Sequence, residues 1–147
     1  KRFTHVLARN CKFVKKLLTM SQLEICPCGS ENTYNDCCNI IHQDLEKATT
    51  AEKLMRARYA AYVTHNIDFI YNTYHTSTRG YQNKNEIENW AKECKWMFLE
   101  IVKSKLNTVE FKAHYVDGTM NTNVHHEKST FKQVQDKWYY VDGVILS

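Results

Sequence analysis

Four of the six cysteines fall within thirteen residues: Cys26, Cys28, Cys37 and Cys38 form the pattern C-x-C-x8-C-C. Four thiolates can complete a tetrahedral zinc site and leave no coordination position open, so such a centre would be structural rather than catalytic. Pro27 fixes one φ and Gly29 permits a positive one, which lets a tight turn aim two sulfurs at a single point. Spacing alone leaves the fourth ligand open, because His42 competes with Cys38. Reduced structural thiols, or disulfides from Cys26 and Cys28 to Cys37 and Cys38, are the alternatives to metal. A unit this small has almost no core of its own, so bound metal would supply most of its folding energy. Cys94 lies on an apolar helical face and reads as a small core residue, and Cys11 has no evident partner.

A second group of residues could do chemistry further along. Arg58 lies four residues after Leu54 and four before Tyr62, on the stripe that a helix would bury. A guanidinium there needs a carboxylate (Glu127, Asp142 or Glu110), backbone carbonyls or a ligand anion. The burial rules favour an internal ion pair over an anion clamp. His75, His114, His125 and His126 are the candidate proton carriers. On a half-buried strand His125 and His126 point to opposite faces, so at most one enters a pocket, and His126 beside Glu127 meets the same constraint. The candidate pocket set is Arg58, Tyr62, His75, His126 and Glu127. No Ser-His-Asp order appears, and four glycines in all nearly exclude a phosphate-cradling loop.

The elements that must position these residues follow from periodicity. Thr49-x-x-Glu52 has capping-box spacing, and Leu54, Met55, Ala61 and Tyr62 continue a helix from it. A second helix opens at Asn66 with Ile67, Ile70, Tyr71 and Tyr74. A third, over residues 85–94, places Ile87, Trp90, Ala91 and Cys94 on one face. The period then changes. Residues 96–105 read as an apolar strand, and Val109, Phe111, Ala113 and Tyr115 alternate with Glu110, Lys112 and His114 as a half-buried strand does. Asp117-Gly118 is a turn, residues 121–134 a long strand, 135–137 a turn and 138–141 a last strand. Helices first and antiparallel strands after them predict an α+β domain with helices packed on one face of a sheet.

The chain has 147 residues, 43% hydrophobic and 24% charged, the composition of a folded domain. Its net charge of +4 is a sum over two unlike pieces. Residues 1–23 hold six basic side chains and no acid, while the rest has fourteen basic against sixteen acidic, or −2. A body with that balance supplies no field for polyphosphate. The aromatic residues Tyr59, Tyr62, Tyr74, Trp96, Trp138 and Tyr140 therefore read as core or pocket wall rather than base-stacking platforms. No stretch is long and apolar enough to span a membrane, and lysines and arginines interrupt any secretory signal, so a cytoplasmic protein is expected.

The run from Cys26 through Pro27, Cys28, Gly29 and Ser30, with Tyr34 and the pair Cys37-Cys38, resembles a SEC-C motif. This is the small zinc module at the C-terminus of the SecA translocation ATPase and in many other bacterial proteins. In that family the last position is Cys or His, which favours Cys38 over His42. The following domain is similar to the YchJ-like family. Residues 54–62 (LMRARYAAY) resemble its LMRSRYSAY, residues 74–79 (YHTSTR) its WHPSTR, and residues 96–99 (WMFL) its WLGL. Residues 109–111 (VEF) and 138–143 (WYYVDG) match its segments as they stand. The resemblance covers residues 20–143 in family order. It implies a fold like nuclear transport factor 2: a curved antiparallel sheet wrapped on about three helices, often enclosing a pocket. Thr76 stands where Pro is usual, and Thr130 replaces the Arg of HERSRF. Many relatives carry a second SEC-C unit at the C-terminus, absent here.

Three segments follow: a basic extension over 1–19 ahead of a natural start at Met20, a SEC-C zinc motif over 20–44, and a nuclear transport factor 2-like domain over 48–147. The reading favoured is a non-catalytic protein with one structural Zn2+ per chain held by Cys26, Cys28, Cys37 and Cys38. Its SEC-C unit would act as an adaptor for another protein or for ribosomal material, and its second domain as a pocket or homodimer surface. One alternative is a small-molecule isomerase or hydrolase with Arg58 as anion clamp and His75 or His126 as base. The other is nucleic-acid binding through the basic arm, which the −2 body disfavours.

Overall fold

The computed structural model describes residues 24–147. The basic extension, the proposed start at Met20 and Cys11 lie outside them. A short α1 (Cys38–Gln43) leads into the main helix α2 (Ala51–Thr64), followed by α3 (Ile67–Asn72), α4 (Thr76–Arg79) and α5 (Lys84–Glu93). Four strands then run as an antiparallel meander in the order β1-β2-β3-β4: β1 (Lys95–Ser104), β2 (Thr108–Val116), β3 (Thr122–Val134) and β4 (Lys137–Ile145). This is the α+β arrangement that the change of period predicts. No helix among the described residues is long and apolar enough to cross a membrane.

Local chemistry explains the boundaries. α2 starts one residue later than its capping-box spacing suggests: the Thr50 hydroxyl accepts from the Lys53 amide at 3.1 Å, while Thr49 accepts from the Lys53 ammonium at 3.3 Å. The helix ends where His65 adopts a left-handed φ of 61°, so that its amide reaches back to Ala61 and Tyr62 carbonyls. Asn66 and Asn83 cap α3 and α5 through side-chain oxygens. Two short helices were not legible: α1 sets its two isoleucines side by side in a polar stretch, and α4 has four residues.

α2 buries nine of its fourteen residues, Ala51, Leu54, Met55, Ala57, Arg58, Tyr59, Ala60, Ala61 and Tyr62. Four alanines let it lie close against the sheet, and the tyrosines reach past them. β2 alternates as expected, with Val109, Phe111, Ala113 and Tyr115 all buried against the helices. Trp90 of α5 joins this core through edge contacts to Tyr62 at 5.3 Å and Trp96 at 5.1 Å between ring centroids. Beyond α3 the chain pairs with β4: the Tyr140 amide donates to the Thr73 carbonyl and the His75 amide to the Tyr140 carbonyl, both at 2.8 Å. That pairing brings Thr73 and Tyr74 against the last strand, next to Arg58.

The cysteine unit is not a separate bead. Cys26, Cys28, Cys38 and Ile41 belong to the same buried cluster as α2 and the sheet. Its folding energy thus comes from packing on the larger domain as well as from any metal, which revises the expectation drawn from its small size.

Candidate functional site

The cysteine unit begins with a narrow turn. Cys26 donates its amide to the Asn32 carbonyl at 2.8 Å, Tyr34 donates to the Glu24 carbonyl at 2.9 Å, and Ile25 bridges Thr33 in antiparallel fashion. Within the turn Gly29 has φ +85°, the left-handed conformation that glycine adopts without strain. Thr33 then caps a 3-10 turn over Tyr34–Asp36, which delivers Cys37 and the start of α1. Consecutive cysteines at a loop-to-helix junction can turn both sulfurs to one side, because Cys37 breaks from helical dihedrals with φ −130° and ψ −108°.

The four sulfurs lie within 4.8 Å of one another. Cys28 Sγ stands 3.7 Å from Cys37 Sγ, and Cys37 Sγ stands 4.0 Å from Cys38 Sγ. Tetrahedral thiolates about 2.3 Å from a zinc ion would be about 3.8 Å apart, so these edges fit such an ion. Cys26, Cys28 and Cys38 are buried, and Cys37 is half-exposed with the Ser30 hydroxyl 3.1 Å from its sulfur. As a set of thiols they are strongly unlike one another. Hydrogen bonding from Cys26 and Cys38 holds Cys28 far below the usual thiol range. The hydrogen bond with Cys28 raises Cys26 to about 12, and those with Cys26 and Cys28, with burial, push Cys38 far above the thiol range.

His42, the competing fourth ligand, is occupied elsewhere. Its Nε2 donates to the Ala57 carbonyl at 2.8 Å, so Nδ1 accepts from the Tyr34 hydroxyl, also at 2.8 Å. Burial holds its pKa below the ordinary value, which keeps the ring neutral and suited to that pair of bonds. The ring packs at a tilt against Phe69 of α3, with 4.7 Å between centroids. His42 therefore ties the unit to α2 and α3. Arg56, a residue that motif reasoning passed over, ties it a second time. Its Nη1 donates to the Cys28 carbonyl at 2.6 Å while Nε pairs with Glu52 at 3.0 Å.

The second candidate set comes apart in part. Arg58 is 2% exposed, and its Nη1 donates to the Ile70 carbonyl at 2.8 Å and to the Thr73 hydroxyl at 2.6 Å. Its guanidinium lies between the rings of Tyr74 and Tyr140, at 4.6 and 4.5 Å from their centroids. The expected ion pair to Glu127, Asp142 or Glu110 is not formed; backbone, hydroxyl and two π faces satisfy the charge instead. Glu127, 1% exposed, pairs with His125 at 2.8 Å and accepts from Ser129 at 2.9 Å and from the Tyr140 hydroxyl. Burial alone would push the Glu127 carboxyl up, but the hydrogen bond and charge of His125, with the two hydroxyls, hold it below its ordinary value. Tyr140 is driven well above the phenol range by burial and by the Glu127 charge.

The buried histidine is His125, not His126. His126 sits on the outer face of the sheet, 2.7 Å from Glu110, and His75 is at the surface, where its Nδ1 caps α4 and meets Ser77 at 2.7 Å. The parity was readable: Phe131 buries itself, and residues two and three pairs before it, Glu127 and His125, must share its face. Tyr62 is buried with its hydroxyl unpartnered. A Cβ at Gly143 would stand 1.8 Å from Glu127 Oε2, so the space for this carboxylate is made by an absent side chain on the neighbouring strand.

Other proteins resemble this chain along most of its length. The family described as YchJ, middle NTF2-like domain, matches residues 50–143. The UPF0225 protein of Serratia proteamaculans is 37% identical over 127 residues, covering 82% of each chain. That of Haemophilus influenzae strain KW20 is 37% identical over 137 residues, 90% of this chain and 84% of the relative. A SEC-C motif containing protein from Rhodopseudomonas palustris, solved in solution, superposes with a TM-score of 0.72 at 32% identity, covering 83% of this chain and 98% of the other. A crystal structure of a sec-c motif containing protein from Psychrobacter arcticus gives a TM-score of 0.69 at 32% identity over 85% of each.

Proposed function

The chain belongs to the YchJ-like family, whose solved relatives include SEC-C proteins, and from that premise we propose that it is a non-catalytic zinc protein and adaptor. Cys26, Cys28, Cys37 and Cys38 would hold one Zn2+, whose charge compensates the thiolates and whose closed coordination leaves no position for substrate. The observation that carries this reading is the convergence of four sulfurs within 4.8 Å while the competing imidazole is engaged at both nitrogens. The chain's own residues do the rest. Arg56 and His42 anchor the unit to α2, and the unit packs into the common core, so a partner gripping the cysteine unit would grip the whole domain. Ile25 and Ile40 remain exposed on that unit, at 58% and 42%, as apolar footholds for a protein partner, ribosomal proteins among them.

An enzyme built on Arg58 with His75 or His126 as base finds little support in the geometry. Those histidines face solvent-side partners, and Glu127 spends both oxygens on His125, Ser129 and Tyr140. Elemental analysis of purified protein tests the first half of the proposal: about one zinc per chain is expected, and none would end it. Affinity capture with wild type against a Cys26→Ser/Cys28→Ser variant tests the second. Partners lost with the metal support the adaptor, and identical partner sets refute it.

A further inference from the structure

The four clustered sulfurs differ in what can reach them. Cys26, Cys28 and Cys38 are at most 2% exposed, while Cys37 is half-exposed at the junction between the 3-10 turn and α1. A thiolate that ligates a metal remains a nucleophile, and an oxidant arriving from solvent meets the sulfur that solvent meets. The three buried sulfurs are shielded from it.

Next to Cys37 lies a sulfur able to trap its oxidised form. Cys28 Sγ is 3.7 Å away, and a disulfide bond is about 2.05 Å long, so a small movement joins them. Cys38 Sγ is 4.0 Å away, but Cys38 is the next residue in the chain. Consecutive Cα atoms are about 3.8 Å apart, below the roughly 4.4 Å that an unstrained disulfide spans, so that pair is disfavoured. Cys28 is also firmly held, because Arg56 of α2 donates to its carbonyl at 2.6 Å. Ser30 guards the exposed sulfur. Its oxygen accepts from the Asn32 amide at 3.3 Å, which leaves its proton for Cys37 Sγ at 3.1 Å. A thiolate that accepts such a bond gives up part of the electron density with which it would attack.

We propose that Cys37 is an oxidation site at which a hydroperoxide opens the metal centre, with Cys28 as the resolving thiol and the Ser30 hydroxyl slowing the first step. The chemistry rests on the sulfur geometry, and its consequence, loss of the metal, rests on the zinc reading above. The Cys37 thiolate attacks one oxygen of hydrogen peroxide; the O–O bond breaks, the sulfur becomes a sulfenic acid, and the departing hydroxide takes a proton from solvent. The Cys28 thiolate then attacks the Cys37 sulfur; the S–O bond breaks and a second hydroxide leaves and is protonated. Two thiolates, one peroxide and two protons thus give one disulfide and two waters. Two of the four ligands are consumed, so the zinc is released, and a dithiol reductant restores the set.

The test treats the zinc-loaded chain with hydrogen peroxide, quenches with an alkylating reagent at intervals and maps the cysteines by mass spectrometry, while a chromophoric chelator reads released zinc. Among the four, Cys37 is expected to be oxidised first, Cys28–Cys37 to be the first disulfide, and zinc to leave as that disulfide forms. Ser30→Ala, which keeps all four sulfurs, is expected to speed oxidation of Cys37 about two- to tenfold, the worth of one hydrogen bond. Zinc content is measured before treatment, so protein that holds none refutes the zinc reading while the order of oxidation still decides this one. Oxidation that starts at Cys26, Cys28 or Cys38, a first disulfide between any other pair of the four, or a Ser30→Ala rate no faster than wild type overturns the proposal.

Discussion

Gly143→Ala is the sharpest perturbation the structure offers, because its sign depends on one close approach. The added methyl would sit 1.8 Å from Glu127 Oε2, 2.5 Å from Cδ and 2.8 Å from Cγ. Gly29 is the glycine with a positive φ among the described residues, so an alanine at 143 meets no backbone strain. Without the clash, replacing Gly by Ala in a strand would stabilise the fold by about 0.4–1 kcal/mol by restricting the unfolded chain. With it, the Glu127 carboxylate must leave its place, breaking its bonds to His125, Ser129 and Tyr140 in the core. Breaking a buried charged network costs about 3–5 kcal/mol. For a domain of this size that is a fall of roughly 12–20 °C in Tm. Urea and thermal unfolding of the zinc-loaded protein, followed by circular dichroism, measure it. The same substitution in a Glu127→Ala background should cost less than about 1 kcal/mol, since the clash is gone. Equal costs in both backgrounds, or a stabilised single variant, would refute the reasoning.

Other consequences can be measured alongside. Cys38→Ser should lose the metal, whereas His42→Ala should retain about one zinc per chain while lowering stability; the reverse pattern in elemental analysis would exchange their roles. Because Cys26, Cys28 and Cys38 share the core with α2, chelation should lower the single unfolding transition of the whole domain, and an unchanged Tm for the sheet would show the unit to be independent. Arg58→Leu should destabilise by about 2–4 kcal/mol in urea unfolding, because it removes two hydrogen bonds and two cation–π interactions at once. Glu127 has a folded pKa below its ordinary value of 4.5, so its stabilisation is complete above about pH 4.5 and is lost as pH falls through the folded value. The stability gap between wild type and Glu127→Gln should therefore stay constant above that pH and narrow below it, in urea titrations across the acid range.

The site was legible in unequal measure. Four cysteines in thirteen residues announce a ligand set because sulfur is rare and local spacing brings it together within one turn and one helix start. Apolar spacing revealed α2, α3 and α5 and the four strands. α1, as short as α3, carries its two isoleucines side by side and shows no such spacing, and α4 has four residues. Arg58 was legible as buried, because helix spacing sets which side a residue faces, but not its partners. Ile70, Thr73, Tyr74 and Tyr140 reach it only after α3 turns back and the following residues pair with β4. His125 could have been chosen over His126 from strand parity.

Composition and spacing by themselves determined the fold class, the four-sulfur set and the division of +4 into an acid-free basic stretch over residues 1–23 and a −2 remainder, because these depend on order along the chain. The tertiary structure decided everything that depends on elements far apart in sequence. It engages His42 at both nitrogens and so removes it from the ligand set, and it joins the cysteine unit to α2 through Arg56. It gives Arg58 aromatic faces in place of a carboxylate, and leaves Glu127 the space that Gly143 vacates. Residues separated by tens of positions meet only when the sheet closes on the helices, and no local pattern records which of them will.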